Sequence, residues 1–197
     1  MSPRNRRADA QRSRAAVLDA AVRVLEARPD AGLAAVAADA GVTRQTVYAH
    51  FASREQLLSA VVDRITEESV AAMDATDPDS GPAADALFRL LEASGRVARR
   101  YPALVQQISA LPTSPRTERA QHASVAARIE RVIRRGQEAG EFDDRLPAGW
   151  LVSVVIKLAH AAGEEESAGR MTDGEAEGAL RVTLLRVLGA APGDVAG

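Results

Sequence analysis

Apolar residues recur along this chain at helical spacing. Between residues 12 and 28, Val17, Leu18, Ala21, Val24 and Leu25 fall at i, i+1, i+4, i+7 and i+8, which predicts a first helix ended by Pro29 and Gly32. Leu33, Val36, Ala37 and Ala40 follow at i, i+3, i+4 and i+7, a second helix of about two turns. Gly41 permits a sharp turn, and Thr43 is a good N-cap for a third short helix reaching Phe51. Ser53 caps a fourth helix to about Met73, with Leu57, Leu58, Val61, Val62 and Ile65 on its core side. ATDPDSGP at 75–82 is a turn-rich connector. Helices are then expected at 83–100, 103–110, 117–139, 147–162 and 172–188, with a loop, LPTSPRT, at 111–117. The 147–162 segment, opened by Pro147, is apolar nearly all round and should be buried on most sides. No strand and no repeat stands out. The expectation is an all-α protein of about nine helices.

Segment 32–51, helix, glycine turn, helix, has the outline of a helix-turn-helix. Its second helix reads TRQTVYAHF and contains two core-type residues, Val47 and Phe51. With Val47 at the origin and about 100° per residue, Phe51 lies near 40° and the core direction near 20°. Gln45 and Ala49 then fall at about 160° and 200°, directly away from the core, with Thr46 and Tyr48 flanking them on opposite sides. A helix docked in the DNA major groove needs this arrangement. Gln45 offers an amide to an adenine edge, and Ala49 is small enough to touch a thymine methyl. Thr46 and Tyr48 reach the two phosphate walls with hydroxyls. Arg44, at the helix start, can splay to a phosphate or pair with guanine. Thr43 can cap the helix and also donate to a phosphate. His50 fits two roles, a packed histidine that caps a carbonyl or a phosphate contact. A helix–glycine–helix alone is also the pattern of an ordinary surface hairpin.

Charge adds to the DNA reading, although a solvated arginine-rich tail is the alternative for the basic residues. Residues 1–54 hold nine arginines against five acids, whereas the rest of the chain is acidic on balance and the whole carries −2. A basic N-terminal end on an acidic body points to a polyanionic partner for the first part. Composition adds that aromatics are only 3% and alanine is frequent, which suits close-packed helices rather than sheets. The chain has no cysteine, which excludes disulfides, thiolate metal sites and cysteine nucleophiles and suits a reducing cytoplasm. The polar N-terminus lacks a secretory pattern, and the longest apolar run is too short to span a bilayer. A soluble cytoplasmic protein is expected.

Residues 17–61, VLDAAVRVLEARPDAGLAAVAADAGVTRQTVYAHFASREQLLSAV, resemble the DNA-binding domain of the TetR family of bacterial transcriptional regulators. LDAA, AGVT, TVYAHF and SREQLL carry the likeness, in the family's order and spacing. The resemblance implies a DNA-binding domain at 1–62 and a C-terminal ligand-binding and dimerisation domain at 63–197. It implies a homodimeric repressor released from a palindromic operator by a small molecule, with no cofactor. By position, Thr43, Tyr48 and His50 match family phosphate contacts. Arg44, Gln45 and Thr46 match positions that meet bases or adjacent phosphates, and Arg54 matches a basic residue that touches the backbone. Arg4, Arg6 and Arg7 match the minor-groove arm of some members. The chain departs from the pattern before its second helix, where Asp30, Ala31 and Gly32 replace the usual Thr or Ser cap. Asp30 is the candidate cap there.

In the family, the last two helices pair with those of a second copy, and 147–162 and 172–188 are apolar enough to do so. A twofold dimer also reads two half-sites where one recognition helix reads too few base pairs. Candidate effector-pocket residues are Phe88, Tyr101, Leu104, Ile108, His122, Trp150, Ser153 and His160, with an apolar or aromatic ligand as the default expectation. An enzyme lacks support: there are three histidines, no nucleophile motif, no phosphate-cradling glycine loop and no metal-spaced cluster. A helical interaction module without DNA binding is the other alternative, against which the polar face of the third helix argues.

Overall fold

A computed structural model describes residues 3–109 and 115–190, without the side chains of residues 3–7, 109 and 115–119. Among the described residues there are nine helices and no strand: α1 (Pro3–Ala27), α2 (Leu33–Asp39), α3 (Arg44–His50), α4 (Arg54–Asp74), α5 (Ala83–Ala98), α6 (Pro102–Ser109), α7 (Pro115–Glu138), α8 (Ala148–Ser167) and α9 (Asp173–Val187). The expected all-α class is what the chain adopts. Two boundaries differ from the sequence reading. The first helix begins at Pro3 rather than residue 12, because RNRRADAQRSR consists largely of helix-tolerant residues but carries no apolar stripe to read. The expected loop at 111–117 is shorter at its far end: α7 opens at Pro115, a residue suited to a helix's first turn. Residues 111–114 lie outside the described residues.

The chain divides into two compact units, residues 1–65 with 100–114, and residues 66–99 with 115–197. The first compact unit ends near the expected boundary at residue 62 and also includes α6. The reason is chemical. Both carboxylate oxygens of Glu26, on α1, accept the first free backbone N–H groups of α6, from Ala103 at 3.1 Å and Leu104 at 3.0 Å. Leu104 is then fully buried beside Val17, Leu25, Val36, Val47, Phe51, Leu57 and Val61. All five positions of the predicted α1 stripe are in this core.

The second unit has its own core, built from Met73, α5, the later turns of α7, Phe142, α8 and α9. The buried positions of α5, namely Ala83, Ala86, Leu87, Leu90, Ala93 and Val97, repeat at three- and four-residue intervals on one stripe. Gly136 on α7 is needed for close approach. A Cβ there would lie 2.3 Å from the Phe142 ring and 2.9 Å from the Ala83 methyl. The Glu141 carboxylate caps α5 by accepting from the Ala83 N–H at 2.6 Å. At the other end, α9 starts with a complete capping box between Thr172 and Glu175. The expectation that α8 is buried on most sides holds only for one face within a single chain. Ala148, Leu151, Val152 and Val155 are buried, while Trp150 is 60% exposed. Among the described residues, no helix is long and apolar enough to cross a membrane.

Candidate nucleic-acid interface

The turn between α2 and α3 has a specific geometry. Gly41 takes φ +65°, a left-handed conformation that costs a residue with a Cβ. It ends α2 in a Schellman motif: the Val42 N–H donates to the Ala37 carbonyl at 3.0 Å and the Gly41 N–H to the Ala38 carbonyl at 3.3 Å. Val42 and Ala37 both pack in the first core, the hydrophobic contact that accompanies such ends. No side chain caps the start of α2. Its N-cap is Gly32, so Asp30, two residues earlier, does not take that role.

Thr43 caps α3 as expected, its Oγ1 accepting the Thr46 N–H at 3.1 Å. The two threonine hydroxyls lie 2.9 Å apart. Whichever donates to the other, one O–H remains for an outside acceptor. Val47 and Phe51 are 0% and 2% exposed, so the core direction assumed for the helical wheel is the real one. Arg44, Gln45 and Ala49 are exposed, Thr46 is half-buried, and Tyr48 is 54% exposed. For a phenol on a seven-residue helix that is a large apolar and hydroxyl surface left to the outside.

His50 is half-buried in the last turn of α3. Its Nε2 lies 3.0 Å from the Ser13 Oγ on α1, and its ring meets Phe51 edge-on. Of its two expected roles, packing is thus present, with a hydroxyl as partner instead of a carbonyl. Ser13 and Arg14 escaped the sequence reading. Ser13 precedes Val17 by four, so the α1 stripe extended one turn back would have found it. The Arg14 guanidinium stands 5.0 Å from the centre of the Phe51 ring. Arg23 on α1 pairs with Asp39 at the end of α2, at 2.7 Å.

Arg54 opens α4, where Ser53 is the cap: its Oγ accepts the Gln56 N–H at 3.2 Å while the Gln56 side chain accepts from the Ala52 N–H. One Arg54 nitrogen donates to the Pro29 carbonyl at 2.7 Å. A guanidinium carries five N–H groups, so this bond orients it without exhausting it. Hydrogen bonding from the Ser53 side chain, and then from its own backbone, holds the Glu55 carboxyl below its ordinary range. The side chains of Arg4, Arg6 and Arg7 lie outside the described residues. Their backbone is part of α1.

The candidate pocket residues are divided between the two units. Tyr101, Leu104 and Ile108 belong to the first unit, and Phe88, His122, Trp150, Ser153 and His160 to the second. Leu104 is core, and Trp150 and Ser153 are exposed. Arg181 stacks on Phe88, its guanidinium 4.3 Å from the ring centre. The rings of His122 and His160 are 5.2 Å apart. A shallow cleft of about 170 Å³ lies instead between α8 and α9, with Leu158, Ala161, Met171 and Leu180 on its wall. Sequence could not find it, since it depends on how two helices splay. Among the described residues, no group of three or more His, Cys, Asp or Glu could hold a metal ion.

Comparison with known proteins agrees with the N-terminal geometry. Residues 17–61 match the family model of bacterial regulatory proteins, tetR family. A stretch of 82 residues is 44% identical to the HTH-type transcriptional repressor LfrR of Mycolicibacterium smegmatis, spanning 42% of this chain and 43% of that repressor's length. The crystal structure of the TetR-like transcriptional regulator LfrR from Mycobacterium smegmatis in complex with proflavine is similar over 88% of this chain and 95% of its own, at 28% identity and a TM-score of 0.61. RolR in complex with resorcinol shares the fold, with a TM-score of 0.73 at 19% identity over 92% of this chain and 90% of its own. LfrR is a transcriptional repressor in its sequence match and a TetR-like transcriptional regulator in its structure. With α2, the Gly41 turn and α3 all lying inside the matched segment, residues 17–61 are similar to the DNA-binding segment of the bacterial regulatory proteins of the tetR family.

Proposed function

We propose that this chain is a transcriptional repressor that binds a palindromic DNA operator as a homodimer in the bacterial cytoplasm and is released by a small molecule. The observation that carries the reading is α3. It is held to the core by Val47 and Phe51, capped by Thr43, and turns Arg44, Gln45, Tyr48 and Ala49 outward. In this reading Gln45 and Ala49 face base edges, with Arg44 beside them. Thr43, Thr46, Tyr48, His50 and Arg54 address phosphates, and the basic start of α1, with Arg4, Arg6 and Arg7, adds positive charge toward the duplex. An α-helix is about 10–12 Å across, wider than the roughly 6 Å minor groove, so a helical start favours phosphate contacts over groove insertion.

The open faces of α8 and α9 support the dimer. Trp150 and Val182, at 60% and 49% exposure, are large apolar groups left uncovered in one chain. The effector is a small molecule with an apolar or aromatic body. Support comes from the proflavine and resorcinol held by two proteins of the same fold. Selection of bound duplexes from random sequence tests the reading. Enrichment of a twofold-symmetric site is expected. Recovery of no motif, or of an asymmetric one, would refute the dimeric operator.

A further inference from the structure

Two side chains from different elements converge on one backbone oxygen. The Pro29 carbonyl, in the α1–α2 loop, accepts from Arg54 at the start of α4 and from Gln107 Nε2 on α6, both at 2.7 Å. We propose that Gln107 is a positioning residue that holds Arg54 for its DNA phosphate. The proposal rests on the DNA-binding reading above.

Gln107 is itself held firmly. Glu26 ties down the N-terminus of α6 and Leu104 is sunk in the first core, which sets Gln107 one turn further on. Its other amide atom, Oε1, is buried with no hydrogen-bond partner among the described residues. Flipping the amide would set that oxygen against the Pro29 oxygen, two acceptors face to face, so the observed orientation is the only favourable one. A buried acceptor left unpaired costs stability, and leucine would fill the same space without that cost. Stability therefore does not account for an amide here, whereas the bond to Pro29 does. Arg28, Pro29 and Asp30 are exposed loop residues. Gln107 fixes their carbonyl from the protein side, and the carbonyl in turn seats one edge of the Arg54 guanidinium. The remaining N–H groups stay available to a phosphate, already ordered. Pre-ordering a long side chain removes an entropy cost otherwise charged to binding.

The test is operator affinity of the full-length chain across a salt series, for the wild type, Gln107→Leu, Arg54→Met and the double variant. Gln107→Glu, which cannot donate to the carbonyl, serves as a second probe, and thermal unfolding confirms folding of each. Gln107→Leu and Gln107→Glu should each weaken binding about three- to tenfold, as one charge-assisted contact is held less well. The loss should be equal for matched and mismatched operators. Arg54→Met should lower the salt slope by about 0.9, the share of one phosphate. In that background Gln107→Leu should have no further effect. An unchanged affinity on Gln107→Leu, or the same loss with and without Arg54, would overturn the inference and leave the DNA-binding reading intact. An Arg54→Met variant with wild-type affinity and slope would do likewise. A wild-type chain that enriches no DNA would sink the DNA-binding reading first.

Discussion

Gln45 and Tyr48 share the outward side of α3 but would act on DNA by different chemistry. An amide can pair with the edge of one base, whereas a phenolic hydroxyl at the groove wall meets a phosphate common to all sequences. Gln45→Ala should therefore relax preference at one base pair per half-site, by about 1–3 kcal/mol of discrimination. Repeating the duplex selection with the variant measures this, and an unchanged profile rules out base contact by Gln45. Tyr48→Phe should lower affinity for all duplexes alike. A shift in sequence preference would move Tyr48 from phosphate to base. Elsewhere on the surface, Asp143 has its pKa lowered to about 2, chiefly by hydrogen bonding from the Arg145 side chain. A depressed carboxylate pKa adds stability that is present above its unfolded value, about 3.9, and is lost as pH falls toward 2. The gap in melting temperature between wild type and Asp143→Asn should be constant near neutrality and close between pH 4 and 2. Because the pair is exposed, high salt should shrink the gap at every pH.

At the scale of the element, the helices that the pattern located were those that bury a stripe. Val47 and Phe51, four apart, were enough to orient α3, and the Thr43 cap followed from residue type alone. The start of α1 escaped because Arg4 to Ser13 carries no apolar periodicity. The attachment of α6 escaped because Glu26 and Leu104 are far apart in the chain, and no local signal joins a carboxylate to a helix start 77 residues later. An effector pocket is hard to read from sequence for a related reason: aromatic and histidine residues are legible by type, whereas a lining is a property of packing. Glycines show the same division. Gly41 was legible as a turn, but Gly136 sits inside a helix and its purpose lies in the Phe142 ring. Gly136→Ala should overpack that contact and cost about 1–3 kcal/mol. Gly41→Ala meets open space and should cost only the left-handed backbone strain, about 1 kcal/mol. Chemical denaturation of both variants distinguishes the two mechanisms, and a larger loss at Gly41 would contradict this assignment.

For the whole molecule, charge and association are the testable quantities. Affinity for the operator should fall steeply with salt as phosphate neutralisation releases counterions, and a flat response would exclude a phosphate-dominated interface. The chain's one tryptophan is Trp150, on the open face of α8. If a second copy covers that face, emission should shift to longer wavelength on dilution through the dimer dissociation range. A spectrum already that of a solvent-exposed indole at high concentration would place the interface elsewhere. The division of the chain bears on recombination as well. The path passes between the two units after residues 65, 99 and 114, so the N-terminal unit is not a detachable cassette. A chimera that joins residues 1–65 to the body of another regulator would leave a leucine-sized hole where Leu104 sits and strand the Glu26 carboxylate. Modular exchange of operator specificity in this chain should succeed only when α6 travels with the head.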